Sequence, residues 1–173
     1  MVLEFPLPFA PAFYGLDFSE LPALIGAFAY GPVAGVMIEF CKILLKLVMK
    51  PSSTAFVGEL ANFAVGCTFI LPASFFYLAK KSRRNAIMGT AVGTLAMTAF
   101  GSFFNAVYLL PKFSELYGIP LDSIIAMGTA INPAIDGVTG LVLMCVVPMN
   151  LLKGTLVSVL TILLYKKLSP ILK

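Results

Sequence analysis

A few polar residues interrupt otherwise apolar runs, and their types and spacing suit ligand binding better than bond-making. Asn150 and Lys153 lie in Pro148-Met149-Asn150-Leu151-Leu152-Lys153-Gly154, inside the long apolar run from Val138 to Leu164. Three residues apart, they share one helix face. An ammonium in hydrocarbon is costly unless it is paired or lines a wet cavity, so Lys153 marks a functional site by default. It could instead snorkel to the membrane interface. Lys166-Lys167, further along the same run, already mark that interface, which favours the cavity. Gly154 would leave the face of Asn150 open to a flat object, and Pro148 can start or kink the helix. Glu59, Asn62 and Gly66 make a second polar face at i, i+3, i+7. Gly89, Gly93, Met97, Gly101 and Asn105 form a stripe at spacing four, where the glycines suit close helix packing and Asn105 suits ligand contact. Glu39, Lys42 and Lys46 share a third face, read as a Glu39–Lys42 pair beside a snorkelling Lys46. Amides both donate and accept, and an ammonium offers three donors.

What is absent narrows the chemistry. The sequence has no histidine and no G-x-x-x-x-G-K-[ST], H-E-x-x-H, G-x-S-x-G or C-x-x-C motif. No pair of carboxylates sits within one apolar span. Catalysis is therefore the weaker class, and ATP hydrolysis by a phosphate loop is excluded. No metal site is expected. Cys41, Cys67 and Cys145 all lie in apolar runs and read as small buried hydrophobes, not as a disulfide framework. No strong internal repeat of the secondary-transporter kind stands out.

The elements that must position these groups are membrane helices. Of 173 residues, 60% are hydrophobic and only 12% charged, with a mean hydropathy of +0.98. The runs are continuously apolar, unlike the alternation of a β-barrel strand. We expect one all-α integral-membrane domain over residues 1–173, a bundle of about five to six spans. Met1 to Glu20 is rich in proline and aromatics, which forbids a helix interior. Ser19 is placed to cap a helix from about Glu20 to Tyr30 that stops at Gly31-Pro32. That helix is too short to cross a membrane, so irregular backbone must enter beside protein or a cavity. Further helices are expected at Val33–Met49, Phe56–Leu78 and Asn85–Leu110, then a loop with Pro111, an amphipathic piece at Asp122–Ala130, and a last helix ending at Lys166-Lys167. The net charge of +4 speaks to orientation, not to nucleic acid. Basic residues at Lys80–Arg84 and at the C-terminus place both in the cytoplasm. The polar side chains then converge in the outer half.

Several stretches together resemble the riboflavin-binding membrane subunit (S component) of energy-coupling factor (ECF) transporters. They are Glu4-Phe5-Pro6-Leu7-Pro8, Leu16-Asp17-Phe18-Ser19-Glu20-Leu21-Pro22-Ala23-Leu24-Ile25-Gly26, Gly31-Pro32-x-x-Gly35, Gly58-Glu59-Leu60-Ala61-Asn62-Phe63, Asn105 before Leu110-Pro111, and Pro148 to Gly154. The resemblance implies six helices, an outward-facing site and a first external loop that lids it. It implies that Asn105, Asn150 and Lys153 hold the polar edge of the isoalloxazine ring. Glu59, Asn62, Gly58, Tyr14, Leu16 and Asp17 complete the candidate substrate-binding set. Riboflavin would be a transported ligand rather than a cofactor. The implied partners are a transmembrane coupling subunit (T) and two ATPase subunits (A, A′), in the plasma membrane of a bacterium. The family has a helix before the Pro/Phe-rich loop, whereas this chain starts at that loop. It thus reads as N-terminally short, with five spans and an outer N-terminus, which bears on partner docking more than on ligand binding. The alternatives are an S component for another vitamin or FMN, a passive channel, or a membrane-embedded enzyme.

Overall fold

A computed structural model describes residues 5–6, 11, 15–52 and 54–172, with side chains of the last helix as far as Leu164. A two-residue antiparallel ladder pairs β1 (Phe5–Pro6) with β2 (Gly15–Leu16). The helices follow: α1 (Glu20–Tyr30), α2 (Pro32–Met49), α3 (Val57–Ala79), α4 (Arg83–Phe104), α5 (Leu110–Tyr117), α6 (Leu121–Thr129), α7 (Val138–Leu141) and α8 (Val147–Leu172). Two π-helical turns, Asn105–Leu109 and Val142–Val146, join α4 to α5 and α7 to α8 without a break.

Contacts fix how the legs run. Glu20 meets Lys42, Gly26 meets Ile38 and Ala27 meets Gly35. These pairs are centred on Gly31, so α1 and α2 are an antiparallel hairpin turned by one residue. Gly31 has φ 102°, a left-handed geometry that favours glycine, and Pro32 follows at the first helical position. Lys46–Glu59, Lys42–Asn62 and Gly35–Ile70 set α3 antiparallel to α2. A Cβ on Gly89 would lie 2.6 Å from the Ala73 carbonyl, and one on Gly93 2.4 Å from that of Phe69. Backbones of α3 and α4 therefore touch directly, the packing role expected of these glycines. Gly154 against Thr94 and Gly101 against Asn150 set α8 antiparallel to α4.

Two apolar cores result. Phe28, Phe69, Ile70, Tyr77, Met97 and Val157 fill the first, with Phe28 and Tyr77 stacked at 4.3 Å between ring centroids. Leu110, Ile124, Ile135, Leu141, Cys145 and Val146 fill the second. The polarity of α2 is inside-out. Val48 is 85% and Leu45 63% exposed, whereas Glu39 is fully buried. That is the pattern of a helix facing lipid. Val57–Ala79, Arg83–Tyr117 and Val138–Leu164 are each long and apolar enough to cross a membrane.

Some boundaries differ from expectation, each for a reason. Helix continues through Pro111 to Tyr117 instead of ending at Leu110. Proline lacks an N–H and clashes with the carbonyl four residues back. For Pro111 that residue is Val107, and for Pro148 it is Met144; each lies inside a π turn, which widens the helix where the clash would fall. Pro148 thus neither starts nor breaks its helix. The last helix runs past Lys166-Lys167 to Leu172. Ser19 does not cap α1 with its side chain; its hydroxyl donates to Asp17 Oδ1 at 2.8 Å instead.

Candidate functional site

Helical phase brings charged and polar groups from four elements to one place. Glu20 opens α1, Glu39 and Lys42 lie one turn apart on α2, Asn62 is on α3 and Lys153 on α8. Lys153 Nζ lies 2.7 Å from Glu20 Oε1 and 3.1 Å from Asp17 Oδ1. Lys42 Nζ donates to Glu20 Oε1 at 3.2 Å, to Asn62 Oδ1 at 3.2 Å, and to Glu39 Oε1. Glu20, Glu39, Asp17 and Lys153 are all buried. Lys153 is therefore not an isolated ammonium: carboxylates more than 130 residues earlier neutralise it. Burial alone would push the Asp17 carboxyl up, but the Lys153 charge and bonds such as that from Ser19 outweigh it and hold the group below the ordinary carboxylate range.

A second cluster sits beside it. Glu59 accepts from Lys46 Nζ, from Ser52 Oγ at 2.9 Å and from Thr54 Oγ1 at 3.0 Å. Lys46 is paired rather than snorkelling. The connection it secures carries Ala55 (φ 46°) and Phe56 (φ 67°), both left-handed non-glycine residues. Such geometry costs on the order of 1–3 kcal/mol per residue and persists only when surrounding contacts impose it. The hydroxyls of Ser52 and Thr54 also accept from the Phe56 and Gly58 amides, which supplies those contacts.

Between the clusters lies a cavity of about 260 Å³. Asp17, Glu20, Lys46, Glu59, Asn62, Asn150 and Lys153 supply its polar lining, while Val65, Leu109, Phe113 and Met149 supply apolar wall. Lys50, Pro51, Thr54 and Gly58 border it at the α2–α3 connection. Six of the expected binding residues thus share one cavity: Asp17, Gly58, Glu59, Asn62, Asn150 and Lys153. Leu16 is buried but does not line it. Asn105 does not line it either; its amide donates to the Gly101 carbonyl at 2.8 Å within the helix. Tyr14 lies outside the described residues, as does most of the expected lid. Gly154 is not an open platform, because a Cβ there would meet Thr94 at 2.6 Å. Gly66 backs onto Glu39 rather than the cavity. Glu20, Lys42 and Lys46 were missed as site residues. The available signal was that buried ions need partners, and a lysine on α8 implied carboxylates elsewhere.

Six helical elements thus surround a small polar cavity at one end of a lipid-facing bundle, and the family model for the substrate-specific component of ECF transporters matches residues 1–165. The chain belongs to this family. Its S-component relatives include the riboflavin transporter FmnP of Bacillus subtilis (strain 168), 34% identical over 171 residues, which are 98% of this chain and 84% of that protein. The riboflavin transporter RibU of Staphylococcus aureus (strain TCH60) is 34% identical, covering 99% of this chain and 83% of the relative. RibU of Streptococcus thermophilus (strain ATCC BAA-250 / LMG 18311) is 27% identical over 99% of this chain and 78% of its own length. The solved S component of a bacterial ECF transporter superposes with a TM-score of 0.72 at 36% identity, covering 98% of this chain and 86% of that one. The chain is accordingly a membrane transport subunit and not an enzyme.

Proposed function

We propose that this S component captures riboflavin in the cavity between α2, α3, α8 and the α1 entry segment, and presents it for import. The observation that carries the reading is one cavity within the bundle in which Asn62, Asn150 and Lys153 face an apolar wall of Val65, Leu109, Phe113 and Met149, while Asp17, Glu20, Lys46 and Glu59 line the rest as paired charges. An apolar wall beside a few placed donors and acceptors suits a flat, largely uncharged amphipathic ligand. Curated relatives named as riboflavin transporters at 34% identity supply the choice of ligand. Asn150 and Lys153 would meet the polar edge of the ring system. The Lys80–Arg84 turn and the basic C-terminus support an inner position for those ends. The cavity then faces outward in a bacterial plasma membrane.

Binding energy cannot concentrate a solute, since a ligand shifts populations only by its differential affinity for two states. Uphill import is therefore assigned to a T subunit and two ATPase subunits, while this chain alone would equilibrate or exclude the vitamin. The purified protein should carry a flavin absorption spectrum, or quench riboflavin fluorescence stoichiometrically on titration. A colourless protein that quenches nothing would remove riboflavin as the ligand.

A further inference from the structure

We propose that the turn between α3 and α4 is a binding surface for the headgroups of anionic phospholipids. Lys80, Lys81, Arg83 and Arg84 gather there, and the last two are the only arginines in the chain. All four are exposed. No Asp or Glu occurs between Glu59 and Glu115, so neither helix offers them a carboxylate near the turn. Among the described residues, Lys80, Arg83 and Arg84 form no salt bridge. Nor does folding use them. Ser82 and Asn85 close the turn: the Ser82 hydroxyl accepts from the Asn85 amide at 3.2 Å, and the Asn85 side chain donates to the Phe76 carbonyl at 3.1 Å. Arg83 and Arg84 stand in the first turn of α4, which holds no acidic residue and where a cation opposes the helix dipole. Gathering like charges at that point calls for an anion from outside the chain.

The surroundings of the turn select a lipid as its carrier. Phe75 and Phe76 on α3 and Ile87 and Met88 on α4 are exposed large apolar side chains. Phe76 precedes Lys80, and Ile87 follows Arg83, by about one helical turn, roughly 6 Å. The surface thus suits a molecule that carries an anion and apolar chains together. An acidic protein would answer the cations alone. Arginine forks take phosphate oxygens in pairs, and basic clusters next to a spanning helix attract anionic leaflets. A general bias of charge toward the inner side would not gather the cations at one turn. The antiparallel order of α1, α2 and α3 puts the Gly31 turn at the same end, and no Lys or Arg precedes Lys42 in the sequence.

The chain has no tryptophan, so a single Phe76→Trp substitution reports the lipid beside the turn. The full chain is reconstituted in mixed vesicles of phosphatidylglycerol and phosphatidylcholine, with bromine on the acyl chains of one lipid or the other as quencher. The relative binding constant from quenching should favour phosphatidylglycerol several-fold. Phe103→Trp, exposed and about 30 Å along α4 from Arg83, should show a ratio near one. High salt should bring the Phe76→Trp ratio toward one as well, because exposed charges are screened. So should Lys80→Gln, Arg83→Gln and Arg84→Gln combined; the salt response needs no charge variant and stands even if that one fails to fold. Equal constants for the two lipids at Phe76→Trp overturn the proposal, and are the result expected of a surface reserved for an acidic protein. A preference equally strong at Phe103→Trp, or one that survives both high salt and the triple substitution, overturns it too. None of these outcomes depends on which ligand the cavity holds.

Discussion

The charged cluster around Lys42 and Lys153 and the glycine seam between α3, α4 and α8 hold the same bundle together by opposite means. Along the seam, polar side chains look inward to their own helix. Thr90, Thr94, Thr98, Ser158 and Thr161 each donate to a carbonyl three or four residues back. None of these bonds crosses between helices. What joins the helices is close backbone approach at Gly89 and Gly93. In the cluster nearly every polar bond crosses from one element to another. Lipid gives helices no hydrophobic reason to associate, so packing and polar contact must supply it. The seam uses the first and spends no polar group, whereas the cluster uses the second and gathers functional side chains in the process.

The comparison breaks most sharply at Lys42. Replacing it by Met leaves Glu20 and Glu39 facing each other without their shared cation. Among the described residues, Glu20 Oε2 and Glu39 Oε2 already have no hydrogen-bond partner. Removing one partner from a buried ion pair costs about 3–5 kcal/mol. Thermal melting in detergent should show it, with partial recovery in a Lys42→Met, Glu39→Gln double variant. Additive losses in the double variant would mean that the two groups do not compensate each other.

Lys153→Ala comes next, and it should act on binding. A lost charge-assisted hydrogen bond weakens riboflavin by about 1.5–3 kcal/mol. Titration by fluorescence quenching reads this directly, and wild-type affinity in the variant would leave Lys153 a structural counter-ion only. In the seam, Gly93→Ala should destabilise by about 1–3 kcal/mol, the cost of overpacking, because the new methyl meets a backbone oxygen that has no rotamer to change. It should leave the Kd for riboflavin unmoved in the protein that remains folded, since Gly93 is outside the cavity lining.

These two regions also differ in how readable they were. The seam was legible because small residues recur at spacing four within one helix, so Gly89, Gly93 and Gly101 announce a face by themselves. The end of α1 at Tyr30 was legible from Gly31-Pro32, whereas its start at Glu20 was expected from a Ser19 side-chain cap that does not form. Polar faces on single helices, Glu59 with Asn62 and Asn150 with Lys153, were legible too. Which faces meet was not. Asp17 and Glu20 reach Lys153 only through the hairpin at Gly31 and the antiparallel order of the bundle, and no local spacing encodes that order. The passage of helix through Pro111 was hidden because a π turn has no sequence mark beyond the proline it accommodates.

The smallest expected effect separates the two asparagines. Both end a turn of apolar residues and both are buried, so sequence treats them alike. In the structure they diverge. Asn150 lines the cavity, with its amide against Gly101. Asn105 lies in the π turn and gives an amide hydrogen to the carbonyl of that same Gly101. A neutral hydrogen bond contributes about 0.5–1.5 kcal/mol net. Asn150→Ala should lose that amount in riboflavin affinity, whereas Asn105→Ala should lose it mainly in thermal stability, because its amide is bonded to the backbone of the preceding turn and does not line the cavity. Measuring Kd and melting temperature for both variants decides the matter. If Asn105→Ala costs more affinity than Asn150→Ala, its amide must leave the Gly101 carbonyl when flavin enters. The π turn, whose widened ladder frees backbone and side-chain groups to re-pair, is then the element that rearranges on binding.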